Sequence, residues 1–378
     1  MNKLEQLIKE FCPDGVEYKK LKDCTEMKRG TSATKNTLNS GKIPVVSGGK
    51  EPSFYCDVSN RTGETITVAG SGAGAGYVQY WNEPIFVNDA FSIKGSNELY
   101  TKYIYYYLSN IQEEIYNTKK GSGVPHVHIS SMDYFYIPLP SLPVQQEIVR
   151  ILDNFTELTA ELTAELTAEL TARKKQYEYY RDSLLTFGGK EFEWKPLGTM
   201  IDLSRGVRVV RSQLNGQGKY PVYQNSLTPL GYFEKSNYPA KTTYIISAGA
   251  AGSVGYSDID FWAADDCYCL VCPEELDNRY LYHALKNQQD YIFSRVRRAS
   301  IPRIGRDVVE RINIPIPHFN DTTKSLAEQQ RIIDILDRFD TLCNDITQGL
   351  PAEIEARQKQ YEYYRDKLLA FPKIELEV

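Results

Sequence analysis

Four stretches of the chain carry residue types that do chemistry. The first is Gly70-Ser71-Gly72-Ala73-Gly74-Ala75-Gly76. Its alternating glycines suggest a phosphate cradle, but it matches neither G-x-G-x-x-G nor G-x-x-x-x-G-K-[ST], and no helical pattern follows it. Two readings stay open for Gly72 and Gly74: a tight turn, or close backbone approach to a nucleic-acid phosphate. The second stretch, Cys267-x-Cys269-x-x-Cys272, looks like half a metal site. It has no fourth ligand at a sensible spacing, and the matching residues 90–95 contain no cysteine, so a buried strand and no metal are expected. The third holds Lys119, Lys120, Ser122, His126 and His128 around Pro125, and the fourth holds Arg295, Arg297, Arg298, Arg303 and Arg306 around Pro302. Guanidinium forks suit guanine O6/N7 and phosphates, and imidazoles suit base edges or phosphates. Two binding loops with different targets would look like this; two solvated charged loops are the plainer alternative. Asp89 and Asp266 occupy matching positions and read as turn caps ahead of ligand contacts. No Ser/His/Asp set, paired carboxylates or P-loop stands elsewhere, so no catalytic residue is expected.

The elements that must position these loops are two helices. Thr-Ala-Glu-Leu repeats in tandem over residues 159–170, and neither Gly nor Pro interrupts residues 144–187. As one helix this run would reach roughly 65 Å. It returns at an offset of 184 as residues 328–371, with 25 of 44 positions identical, which marks an internal duplication. Leu158, Leu162, Leu166 and Leu170 form an apolar stripe that drifts about 40° per four-residue step. Its expected mate is the second helix, through Ile335 and Leu342, in an antiparallel coiled coil. Pro351 should break or kink that second helix. Tyr177 and Tyr180, with their copies Tyr361 and Tyr364, are expected to pack the rod ends or a partner subunit.

The globular parts repeat more faintly. Ile137-Pro138-Leu139-Pro140 matches Ile314-Pro315-Ile316-Pro317, and Glu17-Tyr18-Lys19-Lys20-Leu21 matches Glu193-Trp194-Lys195-Pro196-Leu197. Each globule reads as mixed α/β with a bent, mainly antiparallel sheet. Strands are expected at 43–47, 65–69, 77–81, 86–87 and 90–94, then a helix at 100–116; in the second globule strands fall at 221–224, 243–247, 255–256 and 267–272, then a helix at 278–295. A short helix at 4–11 reads as the remnant of a preceding repeat, which would bring the two ends of the chain together. The net charge of −5 sits on the helices: residues 144–187 carry −3 and 328–378 carry −4, while residues 12–143 balance 13 cations against 13 anions and 188–327 hold 17 against 15. The globules are thus free to present local basic patches. Seven cysteines without regular spacing fit a reducing compartment. With no signal peptide and no long apolar run, a cytoplasmic protein without a membrane partner is expected.

Two differing globules alternating with two near-identical helices, the Thr-Ala-Glu-Leu repeats, Ile137-Pro138-Leu139-Pro140 leading into Gln145-Gln146-Glu147-Ile148, and Arg173-Lys174-Lys175-Gln176-Tyr177-Glu178-Tyr179-Tyr180 resemble one family. It is the specificity subunit of type I restriction-modification enzymes, in the subgroup with such spacer repeats. The resemblance covers essentially the whole chain. It implies a target-recognition domain at 1–143, a spacer helix at 144–187, a second recognition domain at 188–327, a distal helix at 328–371 and a tail at 372–378. Each domain would read one half of a split sequence in double-stranded DNA. The helices would set the gap and dock two modification (methyltransferase) subunits for adenine methylation, and restriction (motor-nuclease) subunits for cleavage. S-adenosylmethionine, ATP and Mg²⁺ would be used by those partners, with no cofactor in this chain. The absence of an Asn/Asp-Pro-Pro-Tyr/Phe signature and of a Walker motif fits a non-catalytic reader. The family does not supply individual DNA contacts, so those named above rest on the loops alone. A structural adaptor with two non-DNA binding heads on a coiled-coil rod is the competing reading.

Overall fold

A computed structural model describes residues 3–121, 123–186, 192–214, 218–345 and 348–374. The chain folds as two compact units, Met1–Glu165 with Ile354–Val378, and Leu166–Glu353. Ser122 and residue 187 lie outside the described residues.

The first unit contains α1 (Lys3–Phe11), β1 (Glu17–Lys20), α2 (Leu21–Cys24), β2 (Thr25–Arg29), β3 (Ser40–Val46), β4 (Phe54–Cys56), β5 (Thr65–Ala69), β6 (Val78–Trp81), β7 (Phe86–Val87), β8 (Ala90–Gly95), α3 (Thr101–Asn110), α4 (Gln112–Tyr116), α5 (Ile129–Met132) and β9 (Tyr136–Leu139). The helix α6 (Leu142–Leu185) then runs on into the second unit. The expected single bent sheet is in fact three: β1-β9, the antiparallel β2-β8-β5-β6, and β4-β3-β7, in which β3 and β7 are parallel. Only Asn88 and Asp89 separate β7 from β8, and the turn they make sends the two strands into different sheets. Ile66, Val68, Phe91 and Ile93 of the four-stranded sheet pack with Tyr103, Ile104 and Leu108 of α3 and with Val144, Ile148 and Leu152 of α6. The ends of the chain meet in this unit, as the remnant-helix reading expects: Val16 N–H donates to Pro372 O at 2.9 Å, Ile374 N–H to Val16 O at 3.1 Å, and the Tyr18 hydroxyl to Phe371 O at 2.9 Å.

The second unit repeats the plan. After α6 come β10 (Phe192–Pro196), β11 (Asp202–Arg205), β12 (Tyr220–Tyr223), β13 (Gly231–Phe233), β14 (Thr242–Ile246), β15 (Val254–Ser257), β16 (Trp262–Ala263), β17 (Cys267–Val271), α7 (Asn278–Asn287), α8 (Gln289–Ser294), α9 (Arg306–Glu310), β18 (Asn313–Pro317) and α10 (Thr322–Asn344); α11 (Leu350–Leu369) starts in this unit and from Ile354 onward belongs to the first. Its sheets, β10-β18, β11-β17-β14-β15 and β13-β12-β16, correspond one for one with those of the first unit. Cys267 and Cys269 pack on Tyr244, Ile246 and Phe261, and burial pushes the Cys267 thiol up to about 12, as befits core side chains.

Both helix pairings are antiparallel. In the first unit α6 lies on α11, with Phe155 against Tyr364 at 5.8 Å and Thr156 bonded to the Tyr361 hydroxyl at 3.0 Å. In the second unit α6 lies on α10, with Tyr177 and Tyr180 at 6.4 and 5.4 Å from Phe339. The expected seam needs correction. Leu166 is buried and Leu162 and Leu170 are half-buried, but Leu158 is 60% exposed, because a stripe stepping every four residues rotates off its mate. On the facing helix Ile335 and Leu342 are half-buried, and the buried positions are Ile332, Ile333, Leu336 and Cys343. Pro351 sits at the second position of α11, where a missing N–H is harmless, so the second helix is broken outright and restarts.

The residues kept in both helices are anchors. Gln145 receives Tyr100 N–H at 2.8 Å and donates to Glu98 O at 2.9 Å; Gln329 receives Asp277 N–H at 2.8 Å and donates to Glu275 O at 3.1 Å. Asp153 binds Lys102 at 2.8 Å and the Tyr106 hydroxyl at 2.6 Å, while Asp337 binds Arg279 at 2.8 Å and His283 at 2.6 Å. One anchor is not repeated. Glu147, where the second copy has Arg331, is held down to about 2 by hydrogen bonds from Arg150 at 2.6 and 3.0 Å, against the effect of its burial and with help from Lys3 at 2.8 Å. A lowered carboxylate stabilises fully above its unfolded value near 4.5 and loses that contribution as pH falls toward 2. Glu147→Gln should therefore flatten the acid limb of the thermal midpoint in that window. A limb as steep as that of the parent chain would refute the assignment.

Candidate nucleic-acid interface

The glycine-rich and basic stretches, separate in sequence, form one structure in each unit. In the first unit residues 70–76 connect β5 to β6, and residues 119–128 fold back on that connection. Gly72 N–H donates to Pro125 O at 3.0 Å and Val127 N–H to Gly70 O at 3.0 Å, while Lys120 and His126 exchange N–H···O bonds of 2.9 and 2.8 Å. In the second unit Gly249 N–H donates to Pro302 O at 3.1 Å, Ile304 N–H to Ser247 O at 2.9 Å, and Arg297 and Arg303 exchange bonds of 2.8 and 3.1 Å. Every one of these bonds recurs at an offset of 177.

Supporting residues repeat as well. The helix expected at 100–116 is interrupted at Ile111 and its counterpart at Gln288, so α4 and α8 start with a glutamine turned toward the loop. Gln112 donates to Gly76 O at 2.8 Å and Gln289 to Gly252 O at 2.7 Å. Gly72 and Gly249 adopt φ of 80° and 85°, which favours glycine. A Cβ on Gly74 would lie 2.4 Å from Gly48 O. The Gly72 N–H is spent on Pro125, so the geometry favours the tight-turn reading, and these glycines shape the loop.

On this shared frame the tips differ. His126 and His128 are exposed and stacked, with centroids 6.2 Å apart and planes 7° from parallel. Lys119 lies 3.9 Å from the Tyr116 ring, and Lys120 is exposed. Arg295, Arg297, Arg298 and Arg303 are exposed, with Arg295 stacked 4.8 Å from the Tyr291 ring. Arg306 stands apart: it opens α9 and is tied to Glu310 at 2.6 Å. Asp89 accepts from the Ser71 hydroxyl and Asp89 O from Gly70 N–H, a loop-capping role.

A cleft of about 360 Å³ in the first unit is lined by Gly70, Asp89, His126 and His128, and also by Arg29. Sequence reading passed over Arg29 and its counterpart Arg205. Their signal was an Arg-Gly pair recurring 176 residues apart, Arg29-Gly30 and Arg205-Gly206, within segments too short and polar to stand out.

The sequence matches the family described as Type I restriction modification DNA specificity domain over residues 13–172 and 189–356. The chain belongs to that family. The type I restriction enzyme EcoR124I/EcoR124II specificity subunit of Escherichia coli is 32% identical, over 99% of this chain and 98% of its own length. A putative type I restriction enzyme specificity subunit of Haemophilus influenzae is 33% identical, over 94% of this chain and 96% of its own. The crystal structure of a type I restriction-modification S subunit from M. genitalium superposes with a TM-score of 0.60 at 22% identity, covering 94% and 96% of the two chains, and shows the same fold. As a type I specificity subunit the chain is a DNA-recognition protein without catalysis of its own. Among the described residues no helix is long and apolar enough to cross a membrane.

Proposed function

We propose that each unit reads one half of a bipartite DNA target through its paired loops, the first through Lys119, Lys120, His126 and His128 and the second through Arg295, Arg297, Arg298 and Arg303. One observation carries this reading: two copies of one hydrogen-bonded frame present different polar tips, as two readers of different base sequences require. Gly72 and Gly74 hold the frame, and Arg306 contributes little because Glu310 already neutralises it. The helices set the gap between half-sites and dock two modification subunits that methylate adenine with S-adenosylmethionine. Restriction subunits, using ATP and Mg²⁺, join the same assembly in the cytoplasm. The test is genome-wide adenine-methylation mapping in cells expressing this chain with its modification subunit. Two short half-sites around a fixed gap are expected, and a contiguous motif would overturn the reading.

Docking on the helices narrows to particular tyrosines. Tyr177 and Tyr361 are committed to Phe339 and Thr156 within their own units, whereas Tyr179 and Tyr363 are 69% and 61% exposed. Each packs edge-on at 72° against the next residue, Tyr180 or Tyr364. Exposed aromatic pairs kept identical in both copies suit a partner that binds twice. Tyr179→Ala should cost one modification subunit and Tyr179→Ala with Tyr363→Ala both, by roughly tenfold or more in affinity each; native mass spectrometry reads the stoichiometry, and full occupancy in the double variant would rule these tyrosines out.

A further inference from the structure

Two kinds of contact must be made at both halves of a split DNA site. The bases differ between halves, but the phosphate backbone is the same polymer at each, so a repeated reader should vary its base contacts and keep its phosphate contacts. The loop tips vary. Beside them Arg29 and Arg205 do not.

These two arginines occupy one structural position. Arg29 ends β2 and pairs with Phe91 of β8; Arg205 ends β11 and pairs with Tyr268 of β17. The glycine after each pins it down. Gly30 N–H donates to Ala90 O at 2.8 Å and Gly206 N–H to Cys267 O at 3.0 Å, and a Cβ on either glycine would lie 2.1 Å from Asn88 O or 2.2 Å from Ala264 O. Arg29 shares its cleft with His126 and His128. Arg205 donates through Nε to Asp265 O at 2.6 Å; the next residue, Asp266, accepts Ser247 N–H at 2.7 Å, and Ser247 O holds Ile304 beside Arg303.

Lys120 and Arg297 keep a cation at the loop tips themselves, and two other repeated pairs are already occupied. Lys19 lies 3.5 Å from Glu98 and Lys195 3.1 Å from Glu193, while Lys102 and Arg279 are bound by Asp153 and Asp337. Arg29 and Arg205 are both exposed, and among the described residues neither has a carboxylate within ion-pairing distance. An exposed guanidinium on a rigid strand end, unpaired and repeated beside both reading loops, has the chemistry of a phosphate clamp.

We infer that Arg29 and Arg205 are equivalent backbone clamps, each gripping a DNA phosphate without regard to sequence while the neighbouring loop reads bases. The inference rests on the proposed placement of DNA on the two loop pairs. Its test uses the full chain bound to its modification subunits, a linear duplex of mixed sequence as probe, and the methylation map as a second readout. Arg29→Gln and Arg205→Gln should each weaken duplex binding roughly threefold to tenfold and lower the slope of log K against log salt by about 1, with about 2 for the pair. The methylated motif should stay unchanged, and Arg→Lys at either position should restore most of the slope. A thermal melt matching that of the parent chain verifies that each variant is folded. A motif relaxed at one half-site would make the arginine a base reader and overturn the inference. An unchanged slope, while Lys120→Ala with His126→Ala alters one half-site, would also overturn it but leave the loop reading intact. If the loop variants and the arginine variants all leave binding and motif untouched, both readings fall.

Discussion

Replacing Arg297 and Arg303 together by alanine is expected to abolish methylation of the native target in cells. The two residues face each other across the paired backbone of the second unit's loop, and both are exposed. A guanidinium bidentate to guanine contributes about 1–3 kcal/mol of discrimination, so losing two removes about 2–6 kcal/mol, or at least roughly thirtyfold in specific affinity. Because the frame is built from main-chain bonds, the variant should fold normally and retain the half-site read by the first unit. Arg306→Ala is the internal control, since its charge is already held by Glu310 and it should change affinity by less than about twofold. Quantitative binding to the mapped target decides the matter: equal losses for the double variant and the control would show that charge alone, without readout, is at work.

Deleting one Thr-Ala-Glu-Leu unit, residues 163–166, should shorten the gap by one or two base pairs and leave both half-sites as they were. A four-residue step removes about 6 Å and about 40° of rotation, against about 3.4 Å of rise per base pair. The helix tolerates this change because its apolar stripe already precesses: Leu158 is exposed, Leu162 half-buried and Leu166 buried at successive four-residue steps. Deleting two residues instead would turn the downstream face by about 200°. The expected result is a chain that no longer methylates its split target. A four-residue deletion that changed the bases read, with the gap preserved, would refute the ruler.

The duplication made much of this legible in advance. Equivalence between residues 119–128 and 295–306 followed from Pro125 and Pro302, and the main-chain bonds agree position by position. Strands with apolar residues and flanking turns, such as β5 and β14, stood out. β1, β2, β10 and β11 did not, because Glu17-Tyr18-Lys19-Lys20 and Thr25-Glu26-Met27-Lys28-Arg29 are half-exposed and carry charges that mask a period of two. The partition into three sheets depends on which strand a two-residue β7 or β16 joins, a tertiary choice with no local signature. The helix breaks at Ile111 and Gln288 contain neither Gly nor Pro; they are selected by Gln112 and Gln289 reaching the loop. Tyr177, expected to pack a rod end or a partner subunit, lies against Phe339 of its own unit; the identity of a helix face says nothing of what covers it.

The anchors between globule and helix have one more consequence. Gln145 with Asp153, and Gln329 with Asp337, form two nearly interchangeable sockets, and each globule supplies a cation and a hydroxyl or imidazole to fill one. A globule from elsewhere needs to match only those few groups to be seated. Heredity can therefore exchange whole heads by recombination through the near-identical helices, and a lineage can acquire a new target in one event without rebuilding its scaffold.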